Sequence, residues 1–239
     1  MDPIRLDHIA IALPRIADAP PDLVGLLGGV PEHNQPGRGF RWASWTYAGG
    51  GRIEILEPVG ADGFLRRFLA AQGPGIHHVT FKVPSLAAAC ARAEAHGYDV
   101  VERDESDPSW KEAFLHPKQA LGIVVQMAEA GGAPLPSGSP PKSSGLPGAP
   151  RPVRILGLRM RARSAERALR QWRDILEGRV ETTPESGLVF RWPSSPMYIA
   201  VDLDPTAPEG PVAIELMGAP PPEALAAAGS RLGIRLQPV

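Results

Sequence analysis

The chain has 239 residues, a formal net charge of −1 at pH 7 and a single cysteine. Its length is sufficient for one large or two small domains with a sizeable core. The near-neutral charge gives no electrostatic reason to expect nucleic acid or an anionic membrane as a partner, and one cysteine excludes an intrachain disulfide framework. No apolar run approaches the roughly eighteen residues of a membrane span, and no signal peptide is visible. We therefore expect a cytoplasmic protein.

The first elements along the chain are predicted as three strands, one loop and one helix. The alternating pattern LDHIAIA predicts a strand at 6–12. Apolar residues at 23–27, closed by two glycines, predict a short helix, and the stretch at 31–39, rich in Pro, Gly and Asn, predicts a loop. Two strands follow at 40–47 and 51–57, and the second has the sequence GRIEILE.

The next elements repeat this arrangement. After a helix predicted at 62–72, the stretch GIHHVTF at 75–81 forms a second histidine-bearing strand with alternating apolar residues. Ser85 suits the N-cap of a helix over 86–96. The remaining segments of this copy are a strand that begins at Val100, an acidic loop at 102–110, a segment at 111–118 and a closing strand, IVVQMAE, at 123–129. In the segment at 111–118, His116 precedes a proline in a predicted strand-end turn. The histidines of the two copies are 70 residues apart and the polar residues of the closing strands 72 apart, which identifies an internal repeat.

Strand periodicity indicates which polar side chains share a face. Successive side chains of a strand point to opposite sides of the sheet, so His8 lies opposite the apolar residues of its strand. By the same alternation, Glu54, His78 and Gln126 each lie on the opposite face of their strand from the adjacent apolar residues. We expect all four to point away from the helix-covered faces. If the two copies pack about a pseudo-twofold axis, the two imidazoles, the carboxylate and the amide converge into a coordination shell for one divalent transition metal.

Beyond the second copy the composition changes abruptly. Residues 130–152 are almost entirely Gly, Pro, Ala and Ser, which predicts a linker that cannot bury enough apolar area to order itself. The repeat pattern resumes in 153–239 with a strand at 154–161 and a helix capped by Ser164. Further strands are predicted at 188–192, 197–203 and 212–217, and a short helix and a final strand at 232–236 follow them.

This third unit is predicted to be free of metal. Glu215 echoes Glu54, but Leu158 or Arg159 stands where a histidine is needed. An unpaired third unit has an exposed sheet edge, which natural proteins cover. It therefore either packs beside the first two units or pairs with its mate across a twofold dimer, and we expect a homodimer.

Four motifs carry a family resemblance: LDHIAIA, GGGRIEILEPVG, GPGIHHVTF, and FLHPK followed by GIVVQMAE. From Leu6 to Glu129 the chain resembles the vicinal oxygen chelate superfamily of glyoxalases, bleomycin resistance proteins and dioxygenases. Within it, methylmalonyl-CoA epimerases are most similar and glyoxalase I is more distant. The resemblance implies an α+β fold in which βαβββ modules at 1–60 and 74–129 form a cupped mixed sheet around one metal. Residues 1–129 would be the metal-binding domain, and 153–239 a third, diverged βαβββ module.

The resemblance also implies roles for individual residues. Its matching positions give His8, Glu54, His78 and Gln126 as ligands of one ion of Co, Ni, Zn, Mn or Fe. Similar proteins usually have a glutamate, which serves as ligand and base, where this chain has Gln126. Because the modules are related by pseudo-symmetry, exchanging Glu and Gln between them preserves the ligand set. Glu54 is therefore the expected base.

The expected reaction is metal-assisted proton abstraction next to a carbonyl of a chelated small acid or acyl-CoA. Epimerisation needs a second acid/base, for which the candidates are Glu112, Lys111 and His116. Two other functions stay open. An extradiol-type dioxygenase would use the two histidines and the glutamate on iron(II) without the glutamine. A non-enzymatic, resistance-type protein would keep the fold and sequester a small molecule.

Overall fold

The structure is a computed structural model that describes residues 3–37, 39–130, 150, 152–183, 187–218 and 220–239. The strands are β1 (Arg5–Ala12), β2 (Val30–Pro36), β3 (Phe40–Thr46), β4 (Arg52–Pro58), β5 (Gly75–Lys82), β6 (Val100–Asp104), β7 (Trp110–Leu115), β8 (Val124–Ala130), β9 (Arg154–Ala162), β10 (Arg179–Thr183), β11 (Gly187–Arg191), β12 (Tyr198–Leu203), β13 (Gly210–Met217) and β14 (Leu236–Pro238). The helices are α1 (Pro20–Leu23), α2 (Phe64–Gln72), α3 (Leu86–Ala95), α4 (Ala165–Leu169), which continues as a π-helical segment over Arg170–Ile175, and α5 (Pro222–Leu232). The predicted α+β class is confirmed. Among these described helices none is long and apolar enough to cross a membrane.

The first βαβββ module consists of β1, α1 and β2 to β4. β1 pairs in parallel with β4, and β2, β3 and β4 are antiparallel neighbours, which gives the order β2-β3-β4-β1. Ile9 and Ile11 of β1 are fully buried, as are their neighbours Ile53 and Ile55 in β4. The alternating apolar pattern therefore supplies the core face of this module.

The segment after α1 is a strand, and the prediction of a loop at 31–39 is wrong. β2 pairs with β3 from Val30, opposite Thr46, to Pro36, opposite Arg41. Its side chains beyond Val30 are exposed. An exposed edge strand has no alternating apolar face that the sequence could reveal, and its prolines suit an edge.

The second module repeats the first with β5, α3 and β6 to β8. β5 pairs in parallel with β8, and the eight strands form one sheet in the order β2-β3-β4-β1-β5-β8-β7-β6. The predicted N-cap is confirmed, because Ser85 Oγ accepts a hydrogen bond from the N–H of Ala88 at 3.2 Å. β7 begins at Trp110, inside the stretch predicted as the end of an acidic loop.

A third module comprises β9, α4 and β10 to β12, and half of a fourth follows it. β9 pairs in parallel with β12, as β1 does with β4. β13 and β14 form a parallel pair joined by α5, and the second sheet has the order β10-β11-β12-β9-β13-β14. The assignment of 212–217 to the third module is therefore wrong, because β12 already closes that module. The exposed strand β10 was missed for the reason that applies to β2. Residues 131–149 and 151, most of the predicted linker, lie outside the described residues.

The internal contacts divide the chain into two compact units. One holds the described residues of 1–7, 78–135 and 157–212. In it the ring of Phe81 contacts Trp192 with centroids 4.8 Å apart, and Trp192 Nε1 donates to the carbonyl of Leu176 at 2.6 Å. Phe81 also contacts Trp172, with centroids 5.9 Å apart, so the second module packs against the π-helical segment that follows α4.

The other unit holds the described residues of 8–77, 136–156 and 213–239. Asp22, at 1% exposure, accepts two hydrogen bonds from the guanidinium of Arg231 at 2.5 and 3.0 Å. Bidentate pairing satisfies a buried carboxylate that would otherwise be costly to desolvate. The contact joins α5, near the C-terminus, to α1 of the first module.

Helix α2 covers part of the face of β1 and β4 that carries His8 and Glu54. Ala10 stands directly beside Glu54 in the parallel pair, so the two share a face. The apolar residues that pack together there are Leu65 of α2, Ala10, Ala12 and Leu56. The expectation that the polar residues avoid helix-covered faces is therefore wrong for α2, because strand periodicity assigns a face but not how far along the strand a helix extends.

Candidate metal centre

The first half of the site comes from the parallel pair β1 and β4. His8 lies two residues before Ala10, and Ala10 is the neighbour of Glu54, so both polar side chains lie on one face. Their Nε2 and Oε1 atoms are 3.6 Å apart, and the two side chains are 6% and 12% exposed. A buried histidine thus faces a nearly buried carboxylate.

His78 of β5 completes a compact group of potential ligands. His8, Glu54 and His78 each offer one ligand atom, and these three atoms lie within 4.8 Å of one another. Zinc binds imidazole nitrogen and carboxylate oxygen at about 2.0–2.2 Å, so ligands that share one ion lie about 3–4 Å apart. Two imidazoles and one carboxylate also match the preferences of divalent first-row transition metals. The three residues therefore fit such an ion, with small adjustments of the side chains.

Gln126 lies on the same face as His78. It is the parallel-strand neighbour of Thr80, which is two residues beyond His78 in β5. Its Oε1 accepts a hydrogen bond from Thr80 Oγ1 at 2.5 Å, and its Nε2 donates to Glu112 Oε2 at 2.6 Å. The end of the amide that faces Glu112 Oε2 is therefore the nitrogen, and the end that faces Thr80 is the oxygen. A role for Gln126 as a fourth ligand stays a prediction.

The three candidates for a second acid/base lie in different surroundings. Glu112 of β7 accepts hydrogen bonds from Gln126 and from Trp110 Nε1, the latter at 2.8 Å. Lys111 forms an ion pair with Glu129 at 2.7 Å. His116 lies exposed in the turn after β7, and its Nδ1 accepts the backbone N–H of Lys118 at 3.2 Å. Of these residues, Glu112 is the one bonded to a predicted ligand.

His77 is adjacent to His78 but has a different environment. Its ring contacts Phe64 and Phe68, with centroid separations of 5.4 and 5.0 Å. Burial lowers the pKa of His77 to about 4, because the apolar surroundings disfavour the charged imidazolium. His77 is therefore neutral at pH 7 and belongs to the packing of α2.

Two neighbours of the site were not identified from the sequence. Trp110 was assigned to a loop, although its indole holds Glu112. Ser44 is the cross-strand neighbour of Glu54 and is 2% exposed. Its Oγ is 3.4 Å from Nδ1 of His33. The alternation of β3 placed Ser44 on one of two possible faces. Only strand register, which the sequence does not supply, selects the face beside Glu54.

The corresponding positions of the third module carry no metal-ligating side chains. Ser85 caps its helix seven residues after His78, and Ser164 caps α4 seven residues after Gly157. Gly157 thus stands where the first two modules have histidine. Arg159 pairs with Ala200 as Ala10 pairs with Glu54, so Ala200 takes the place of that glutamate. The predictions that Leu158 or Arg159 takes the histidine position, and that Glu215 corresponds to Glu54, are wrong by strand register.

The paired βαβββ modules thus gather two histidines and a glutamate on one sheet, as a candidate site for a single metal ion. The family model of the Glyoxalase/Bleomycin resistance protein/Dioxygenase superfamily matches residues 7–114. The ethylmalonyl-CoA/methylmalonyl-CoA epimerase of Cereibacter sphaeroides is 30% identical over 52% of this chain and 97% of its own length. The chain belongs to this superfamily, as its motifs predicted.

Other relatives agree with this assignment. The mitochondrial methylmalonyl-CoA epimerase of Mus musculus is 27% identical over 53% of this chain and 73% of its own. Among solved structures, a hypothetical protein of Bacillus halodurans has a TM-score of 0.52 at 28% identity and covers 56% of this chain and 99% of its own. A variant of the Streptomyces coelicolor methylmalonyl-CoA epimerase, bound to 2-nitronate-propionyl-CoA, has a TM-score of 0.50 at 26% identity and covers 55% and 98% of the two chains. Each of these matches accounts for about half of this chain.

Proposed function

We propose that this protein is a metal-dependent epimerase or related isomerase that transfers a proton next to the carbonyl of an acyl-CoA. The observation that carries the proposal is the gathering of His8, Glu54 and His78 ligand atoms within 4.8 Å. The expected metal is one ion of Co, Ni, Zn, Mn or Fe, held by these residues and by Gln126.

The chemistry follows from the ligand set. A divalent ion held there would supply Lewis-acid stabilisation of negative charge on the substrate's carbonyl oxygen. Glu54 is the carboxylate of the set and takes the proton from the carbon next to the carbonyl. The electron pair of that C–H bond moves into the enolate, and return of a proton to the other side of this carbon gives the epimer. Burial of both histidines keeps water away from the reacting groups.

The acyl-CoA substrate class is inferred from the relatives. Epimerases named for methylmalonyl-CoA match the chain in sequence, and one solved relative holds a propionyl-CoA derivative. We therefore choose methylmalonyl-CoA as the test substrate.

The first test is metal content by mass spectrometry, on protein purified without an affinity tag or chelator. We expect about one equivalent of a divalent transition metal, its loss in a His8→Ala/Glu54→Ala double variant, and epimerisation of methylmalonyl-CoA by the loaded wild-type protein. A Glu105→Gln variant, altered at an exposed ion pair with Arg103, serves as the matched control. Metal that is substoichiometric after reconstitution, and unchanged in the double variant, would contradict the proposal.

One observation favours a second candidate, an extradiol-type dioxygenase. Both polar atoms of Gln126 already form hydrogen bonds within the protein. If the amide does not bind the ion, the ligand set reduces to two histidines and one carboxylate, which suits non-haem iron(II). Oxygen consumption by the iron-loaded protein in the presence of a catechol separates this reaction from proton transfer.

We also propose that the protein is a cytoplasmic homodimer. The buried thiol of Cys90 suits a reducing compartment. Sedimentation equilibrium tests the dimer, and cell fractionation tests the location.

A further inference from the structure

We infer that Glu112 is the second proton-transfer residue of the centre, an assignment that rests on the proposed epimerase function. Epimerisation removes a proton from one side of a carbon and returns a proton to the other, so one carboxylate cannot serve both sides. Glu54 accounts for the proton transfer on one side of this carbon. The second group must lie on the ligand-bearing face, reach a substrate and have an oxygen left for the proton.

Strand register places Glu112 on that face. In β7 and β8, Glu112 stands opposite Ala128 and Phe114 stands opposite Gln126, so the glutamate and the glutamine share one side of the sheet. Gln126 is in turn level with Thr80, which shares its side of β5 with His78. Glu112 is partly exposed. It is therefore on the face of the candidate centre and accessible to a bound molecule.

The carboxylate of Glu112 is held by one of its two oxygens. Oε2 accepts hydrogen bonds from Gln126 Nε2 at 2.6 Å and from Trp110 Nε1 at 2.8 Å. Across the described part of the chain, no hydrogen bond to the other oxygen, Oε1, is found. Two donors on one oxygen fix the side chain in orientation and leave Oε1 as the atom that exchanges a proton, which is the preorganisation that acid–base catalysis requires.

The other two candidates do not meet these conditions. Lys111 stands opposite Glu129, on the other side of β7 from Glu112, and its ammonium is engaged by that carboxylate. His116 lies beyond the end of β7, with a ring nitrogen bonded to the turn backbone. Neither is bonded to a residue of the ligand-bearing face.

The repeat adds an independent argument. Glu54 and Gln126 hold equivalent places in the two modules, so Leu56 corresponds to Ala128. Trp42 stands opposite Leu56 as Glu112 stands opposite Ala128. The first module thus combines a carboxylate on its closing strand with a tryptophan beside it, and the second combines an amide with a carboxylate. Each module supplies one carboxylate, from a different strand of the repeat.

In the complete step, Glu54 receives the proton and the C–H electron pair becomes part of the enolate. Protonated Glu112 then gives its proton to the same carbon, the enolate electron pair forms the new C–H bond, and Glu112 is left as a carboxylate. For the opposite epimer the two residues exchange roles. No oxidant or further reactant is needed.

The experiment measures deuterium incorporation from D2O into each epimer of methylmalonyl-CoA, with the metal content of every sample determined. The wild-type protein should exchange the proton of both epimers. Glu112→Gln should keep its metal, lose about 100-fold or more of its epimerisation rate, and exchange with one epimer only. Trp110→Phe, which removes one of the two donors to Oε2, should slow exchange by about tenfold for the epimer that Glu112→Gln no longer exchanges.

Three outcomes would overturn the assignment. If the Glu112→Gln variant retains its metal and its epimerisation rate is within threefold of the wild-type rate, Glu112 takes no part in the reaction. Equal loss of exchange from both epimers, with loss of metal, makes Glu112 a residue that positions Gln126. A fully loaded wild-type protein that exchanges neither epimer overturns the proposed function itself, which distinguishes that failure from the other two.

Discussion

The first and third modules have the same strand pairing, but only the first has potential metal ligands at the equivalent positions. β1 and β4 pair in parallel with Ala10 beside Glu54, and β9 and β12 pair in parallel with Arg159 beside Ala200. The buried alternating residues persist in both. The fold therefore depends on the apolar face and the strand register, and a few positions on the other face decide whether a metal can bind.

The third module fills its equivalent face in a different way. Arg159 forms an ion pair with Asp202 at 2.6 Å. On the same two strands, the places that correspond to His8 and Glu54 have only the hydrogen of Gly157 and the methyl group of Ala200. Charged side chains on this face thus pair within the protein, where the first module presents side chains that could bind an ion. Three experiments test the comparison.

The largest effect is expected for Gly157→Ala. A Cβ at this position would meet the carbonyl oxygen of Tyr198 well inside van der Waals contact. Since the obstacle is backbone of the paired strand, we expect a loss of about 3 kcal/mol in the free energy of unfolding. Urea denaturation measures this loss. The control is Gly75→Ala in β5, where the added Cβ would approach only the Gly233 oxygen at 3.4 Å and should change stability by less than about 1 kcal/mol. Similar midpoints for the two variants would contradict the close approach at Gly157.

A smaller and equal effect is expected for the two helix caps. Ser85 Oγ accepts from the N–H of Ala88 at 3.2 Å, and Ser164 Oγ accepts from the N–H of Arg167 at 3.3 Å. Each Ser→Ala change should cost about 1 kcal/mol, because one N–H of the first turn loses its acceptor. Ser→Thr at either position should retain most of the stability. Calorimetry that found one cap indispensable and the other neutral would show that the modules differ in their framework as well as in their site.

The smallest effect is a pH dependence of the free energy of unfolding. It comes from Glu129 of the second module and has no counterpart in the third module. Lys111 and the N–H of Leu86 hold the pKa of Glu129 below its usual value of 4.5. Because the folded-state pKa is the lower one, this stabilisation is present above about pH 4.5 and is lost as the pH falls through the lowered pKa. Glu129→Gln should therefore be less stable than wild type at pH 7, by at most about 1 kcal/mol, and the difference should shrink in acid.

The third module provides the control for this pH effect. Leu203 holds the place in β12 that Glu129 holds in β8, and it is 44% exposed. Leu203→Gln should leave the pH dependence of unfolding unchanged. A difference between Glu129→Gln and wild type that stays constant from pH 7 to pH 3 would exclude the ion pair as its cause.

Most of the fold and the main residues of the candidate centre could be predicted from the sequence. The internal repeat and the alternation of apolar residues were enough to select His8, Glu54 and His78. The edge strands β2 and β10 could not be predicted, because their exposed side chains lack the apolar period that marks a strand. The hydrogen bonds from Trp110 and Gln126 to Glu112 depend on register between strands, and a single sequence does not encode register in any local pattern.

The close contact between Gly157 and the backbone of Tyr198 has a consequence for design. A protein engineer who wished to build a second centre in the third module would have to restore a histidine at 157 and a carboxylate at 200. The first of these changes cannot be made alone, because β12 would have to move before any side chain fits at 157. A histidine introduced at 157 alone would therefore destabilise the fold before it could contribute to binding. Redesign must begin with the spacing of two strands and only then address the ligands.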